Sequence, residues 1–214
     1  MPSPVFQPGQ KLVFIGDSIT DAGRRTEAHA PYGRGYVFFI YSFLHARYPA
    51  LALTVINQGI SGNTIRDLKA RWERDVIAEQ PDWLTVKIGI NDVWRRVTGR
   101  LDEAVPLDEY VATYRELLEE TRQRTSARFI LMEPYVIEPD RADPFRSLMD
   151  RYVEAVDALA GECGAILVRT QAAFDDALEK QPTAFWAPDR VHPGGPGHAV
   201  IARAFLRAVG YGDV

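Results

Sequence analysis

The feature that most constrains this chain is an unbroken apolar run, Leu12-Val13-Phe14-Ile15, that stops at Gly16-Asp17-Ser18. A short apolar run bounded by a turn signal reads as a strand buried on both faces, as in a parallel sheet. Ser18 then falls at the carboxyl end of that strand, the edge where open α/β sheets bind ligands. A sharp turn at Gly16 leaves Ser18 at the start of a helical turn, where a serine can also serve simply as an N-cap. The rest of the chain decides between the two uses.

The strand signal recurs. Leu51–Ile56 reads as a second strand, followed by the turn-rich Asn57-Gln58-Gly59-Ile60-Ser61-Gly62. Such residues tolerate unusual backbone angles. Asn63-Thr64 starts a helix with Asp67 in a capping-box position, and Ile65, Leu68, Trp72 and Val76 form its apolar stripe up to the stop at Pro81. Trp83–Ile88 is the third strand, ending in Gly89-Ile90-Asn91-Asp92. Asp108 is expected to cap a helix striped by Val111, Tyr114 and Leu118. Phe129–Met132 is the fourth strand, and Asp143-Pro144 opens a helix with Phe145, Leu148, Tyr152, Val156 and Leu159 inward. Ala165–Val168 is the fifth strand, Thr170-Gln171 leads into another helix, and Phe185–His198 returns across the top. A last helix runs to about Val209 and closes at Gly210.

Strands alternating with helices predict a three-layer α/β/α fold around a flavodoxin-like, five-stranded parallel sheet, in a single domain over residues 1–214. Tyr36–Tyr48, YVFFIYSFLHARY, is apolar around more than one helical face. A helix of that kind is buried on more than one side, here between the sheet and a second copy of the chain, so a homo-oligomer is expected.

The formal net charge of −4, with arginines scattered beside acids, argues against a nucleic-acid surface. No apolar run reaches the ~18 residues of a membrane span. The N-terminal MPSPVFQPGQ has neither the basic nor the apolar region of a secretory leader, and a lone cysteine, Cys163, suits a reducing compartment. A cytoplasmic location is expected.

Four features converge on one sheet edge: Ser18, the turn holding Gly62, Asn91, and Asp189-Arg190-Val191-His192-Pro193. A serine nucleophile needs a base, an acid to orient it, and donors for the developing oxyanion. His192 fits the base and Asp189, three residues before it, the orienting acid. The backbone N–H groups of Ser18 and Gly62 and the amide of Asn91 fit the oxyanion hole. Asp17, Trp94, Arg95 and Trp186 are candidate substrate contacts, although Asp17 and Asp21 also suit turn and loop anchoring. Ser61 is a rival nucleophile without an Asp/His arrangement of its own. His198 falls in the first turn of the last helix, where contact with protein is expected, and Trp72 and Trp83 fit the core. No His-Glu-x-x-His or paired-cysteine pattern is present, so no metal or other cofactor is expected.

GDSIT, GISGNT, GIND and DRVHP occur in the order of the SGNH, or GDSL-type, hydrolases, and the chain resembles that family over most of its length. The longer wording of NQGISGNTIRDLKARWERDVIAEQPDW and DRVHPGGPGHAVIARAFL is similar to the carbohydrate acetylesterases, particularly the acetylxylan esterases. The resemblance implies metal-free ester hydrolysis through an acyl-enzyme, with acetylated xylo-oligosaccharides as substrate. That group has an aromatic residue directly before the catalytic aspartate; here Pro188 stands there. Two other functions fit less well: a lysophospholipase or thioesterase, for which no long apolar lid is evident, and a non-catalytic carbohydrate-binding protein, which would not need every site position filled.

Overall fold

The computed structural model describes residues 4–212, so the first three residues of the N-terminal segment read as lacking a leader lie outside the described residues. Five parallel strands form the sheet: β1 (Lys11–Gly16), β2 (Thr54–Gly59), β3 (Trp83–Lys87), β4 (Arg128–Met132) and β5 (Ile166–Val168). Their spatial order is β2-β1-β3-β4-β5, as a flavodoxin-like winding requires. Gly16 is level with Gly59 on one side and Lys87 on the other, so three strands end together.

The helices are α1 (Ser18–Asp21), α2 (Tyr36–Arg47), α3 (Ile65–Trp72), α4 (Ile90–Val97), α5 (Leu107–Arg124), α6 (Pro144–Cys163), α7 (Thr170–Leu178), α8 (Thr183–Trp186) and α9 (Gly195–Ala208). One layer is built from α2, α7 and α9, the other from α3 to α6. Phe14 shows how the first closes on the sheet, packing against Tyr36 of α2 and Phe205 of α9. In the other layer the buried Trp72 donates its indole N–H to Thr121 of α5. No helix of the described residues is long and apolar enough to cross a membrane.

Two helix starts follow the local chemistry read from the sequence. Thr64 and Asp67 form the expected capping box, and Asp143 accepts from the N–H groups of Phe145 and Arg146. Three boundaries differ from the sequence reading. Leu51 ends a short 3₁₀ turn, Pro49–Leu51, and β2 starts later and runs on to Gly59. The helix expected to be capped by Asp108 begins at Leu107, with Pro106 in the cap position. Asp108 sits in the first turn, where a carboxylate still favours the helix dipole. Last, α4 begins within the expected end of the third strand loop, because Gly89 at φ +131° turns the chain directly into a helix.

Helix α2 is buried along Tyr36, Val37, Ile40 and Leu44, while Phe39, Tyr41 and Phe43 are half-buried and Phe38 is exposed. Gly59 marks a tighter approach: a Cβ there would lie 2.2 Å from the Asp21 backbone nitrogen. Gly161, on an exposed turn of α6, has nothing within reach of such an atom. Gly59→Ala is therefore expected to cost about 3 kcal/mol by forcing backbone apart, whereas Gly161→Ala should gain up to ~1 kcal/mol of helix propensity. Urea unfolding of the two variants beside the wild type checks both signs.

Candidate active site

The side chain of Asp17 accepts from the N–H of Ile19 at 2.9 Å and is the N-cap of α1. This leaves the hydroxyl of Ser18, the first helical residue, without a capping role. Ser18 Oγ lies 2.9 Å from His192 Nε2, and His192 Nδ1 lies 2.7 Å from Asp189 Oδ2. Asp189 Oδ1 also accepts from the N–H groups of Val191 and His192. Partial burial alone would raise the Asp189 carboxyl, but the bonds from His192 and from these N–H groups hold it below its usual range. An aspartate kept ionised in this way fixes the ring with its proton on Nδ1 and a lone pair on Nε2 toward Ser18.

The Asp189–His192 turn is held from behind. Arg190 adopts φ +67° and pairs with Glu138 at 2.9 Å and Asp143 at 3.0 Å, while its carbonyl accepts from Ile137 N. Tyr135 donates its hydroxyl proton to Val191 O.

Gly62 and Asn91 line the same cleft as Ser18 and His192, a space of about 900 Å³. Gly62 holds φ +83°, a conformation glycine adopts without strain. Arg95 Nη2 donates to its carbonyl at 2.5 Å, which turns the peptide. Asn91 Nδ2 donates to Asn63 O at 3.0 Å, and an amide nitrogen has a second proton to offer. Trp94 lies edge-on to His192, ring centroids 5.7 Å apart, and forms one wall.

Two expected substrate contacts lie elsewhere. Asp17 is fully buried under the nucleophile, where one carboxylate oxygen caps α1, and has no surface for a substrate. Trp186 lines a separate groove with Phe39 and Phe43, its indole N–H donated to Gln181 O; only its backbone, accepting from Gly194 N, supports the histidine loop. Ser61 donates its hydroxyl to Asp21 Oδ2 at 2.8 Å and so anchors the Gly62 loop. His198, in the first turn of α9, accepts at Nδ1 from Tyr36 N. Burial, then the charges of Lys87 and Arg34, push its pKa down to about 4.

Sequence reading missed three residues. Lys87 is fully buried, its ammonium 4.5 Å over the Tyr135 ring; burial lowers its pKa while Asp17 supports the charge. Asn57 donates to Thr20 O and Tyr32 O, joining β2 to the loop after α1. Asp92 caps the N-terminus of α3 through Ile65 N, and burial raises its carboxyl to about 7. A charged or amide residue next to an apolar run was the only available signal for each.

Residues 14–200 match the model of the GDSL-like lipase/acylhydrolase family, and the chain belongs to that family. It is a hydrolase of carboxylic esters. It is 50% identical, over 95% of each chain, to an acetylxylan esterase of Geobacillus stearothermophilus. The crystal structure of Axe2, an acetylxylan esterase from the same organism, superposes with a TM-score of 0.92 at 48% identity over 97% of each chain. LAE5, an α/β hydrolase from the metagenome of Lake Arreo in Spain, matches with a TM-score of 0.92 at 45% identity, over 96% of this chain and 97% of its own. Catalytic mutants of Axe2 have been solved at a serine, an aspartate and a histidine.

Because Asp92 is raised, its burial opposes folding above pH 7, and that penalty is relieved as pH falls from about 7 toward the carboxylate's ordinary range. His198 has the opposite sign: kept neutral down to about 4, its contribution is lost as pH falls from 6.5 to 4. Asp92→Asn keeps the acceptor for Ile65 N and should raise unfolding free energy at pH 8 by roughly 1–3 kcal/mol, a gain that disappears near pH 4. Urea titrations at the two pH values measure it, and an equal gain at both would contradict this origin.

Proposed function

We propose that this chain is a serine esterase that removes O-acetyl groups from acetylated xylo-oligosaccharides, with Ser18, His192 and Asp189 as its triad. The observation that carries the reading is the continuous Ser18–His192–Asp189 hydrogen-bond chain at the end of β1. The substrate class is supported by 50% identity to an acetylxylan esterase.

In this reading Ser18 Oγ attacks the acetyl carbonyl carbon while its proton passes to His192 Nε2, and Asp189 steadies the resulting imidazolium. The carbonyl oxygen, now negative, is held by the N–H groups of Ser18 and Gly62 and by the free amide proton of Asn91. His192 returns the proton to the departing sugar hydroxyl as the C–O bond breaks, leaving acetyl-Ser18. Water, deprotonated by the same nitrogen, attacks that ester; acetate leaves and Ser18 regains its proton. Trp94 offers a face to a sugar ring, and Arg95 acts by positioning Gly62.

A cytoplasmic site of action fits the single cysteine. Action as one domain fits a family match that spans most of the chain. Self-association through α2 fits the exposed Phe38 beside half-buried Phe39 and Phe43, and a purely monomeric sedimentation profile at micromolar concentration would dismiss it.

Acetate release from acetylated xylo-oligosaccharides at neutral pH should fall by at least about 10³-fold in Ser18→Ala and by about 10²- to 10³-fold in Asn91→Ala. If the folded wild type releases none yet cleaves long-chain or thioester substrates, the triad stands and the sugar assignment falls.

A further inference from the structure

Three arginines, Arg34, Arg95 and Arg100, line the catalytic cleft, and no aspartate or glutamate does, in a chain of net charge −4. Arg95 and Arg100 share one exposed carboxylate, Glu103, at 3.4 and 3.8 Å. The triad's Asp189 is turned away onto His192. Arg34 has no side-chain hydrogen bond or ion pair among the described residues, yet its backbone is well fixed. Its N–H donates to Ala22 O at 3.0 Å. The preceding Gly33 sits at φ +78° so close to Asp21 that a Cβ would lie 2.5 Å from that carbonyl oxygen. The charge of Arg34 reaches the site, since it helps keep His198 neutral. A cleft of about 900 Å³ is also much larger than an acetyl group fills.

An uncompensated guanidinium carried on a fixed stretch of backbone, in a cleft with an aromatic wall, is suited to a carboxylate carried on a sugar, because its planar fork pairs with a planar carboxylate through two parallel bonds. Resting on the sugar-esterase reading above, we propose that the cleft prefers acetylated oligosaccharides bearing a uronic acid, with Arg34 as the specificity-determining contact for the carboxylate. The neighbouring charges of Arg95 and Arg100 are half neutralised and add a diffuse attraction that guides such substrates in.

The test compares kcat/KM for acetylated xylotriose with and without a glucuronic acid branch, using wild type, Arg34→Gln and Arg34→Lys. Wild type should favour the acidic substrate by about three- to fivefold, mainly through KM. The ratio should fall toward one in Arg34→Gln, stay in between in Arg34→Lys, and shrink at high salt, where exposed charges are screened. A wild-type ratio of one, or a preference that Arg34→Gln leaves intact, overturns the proposal. A second arm needs no sugar ester: glucuronate, xylose and inorganic phosphate compete with 4-nitrophenyl acetate. Stronger inhibition by glucuronate than by xylose, weakened in Arg34→Gln, supports the proposal; equal inhibition, or phosphate as strong as glucuronate, overturns it. If neither trisaccharide is deacetylated while the aryl acetate is cleaved, the sugar-esterase reading fails by itself and the inhibition arm judges the charge preference.

Discussion

The site depends on one buried cation. Arg71, at the end of α3, donates from Nη2 to Gly16 O, from Nη1 to Gln58 O and Asp75, and from Nε to Asn63. A single planar group thus fixes the last carbonyl of β1, the end of β2 and the loop that carries Gly62. Ser18 lies two residues past the first of these anchors. The planar fork is what makes this possible, since a lysine presents its donors from a single point. Asp75, which balances the charge, falls in a π-helical turn, Glu73–Ile77, that continues α3. Such turns are rare and concentrate at functional sites, and here the turn sets the counter-ion directly against Arg71.

Around that anchor the backbone is drawn in tightly. The α1 turn rests on the end of β2, and Gly59 contributes only hydrogen where the two meet. Asn57, donating to Tyr32 O, and Arg24, donating to Gly59 O, then tie the loop after α1 to the same strand end. Beneath the nucleophile lie Asp17 and Lys87, both entirely enclosed and each the other's electrostatic support. Burial raises the Asp17 carboxyl and lowers the Lys87 ammonium, and the charge of each works against that shift in the other; the cleft above them is lined by three arginines. Groups of different placement share one strand end: those below hold the nucleophile's turn in place, and those above line the cleft.

Much of this was legible in the sequence because parallel strands, buried on both faces, announce themselves as apolar runs. The five strands followed from that signal; the flavodoxin-like order was a fit that the runs themselves do not dictate. The expected grouping of Ser18, Gly62, Asn91, Asp189 and His192 at one edge came from the motifs that follow the strands and from the returning C-terminal segment. What escaped reading depended on angles and on enclosure. Nothing local says that Gly89 will turn at φ +131° into a helix, or that Leu51 will end a 3₁₀ turn. Lys87 closes an apolar strand and reads as a polar end, although the packing of Tyr135 covers it. Asp17 reads as neighbour to a substrate, yet a side chain on the opposite side of a one-residue step points into the protein. Arg71 was one of the arginines read only as scattered beside acids.

Arg190 has a consequence for any attempt to remodel this scaffold. It occupies a left-handed conformation that costs a non-glycine residue about 1–2 kcal/mol. The ion pairs with Glu138 and Asp143, on the connection between β4 and α6, keep it there. That connection is thus a jig for the acid–base loop, although it contributes no atom to the cleft. Insertions grafted into it would tilt the histidine without touching any residue of the reaction. The segment that follows α4 carries no such tether to the triad, so it is the place where new recognition surface can be built.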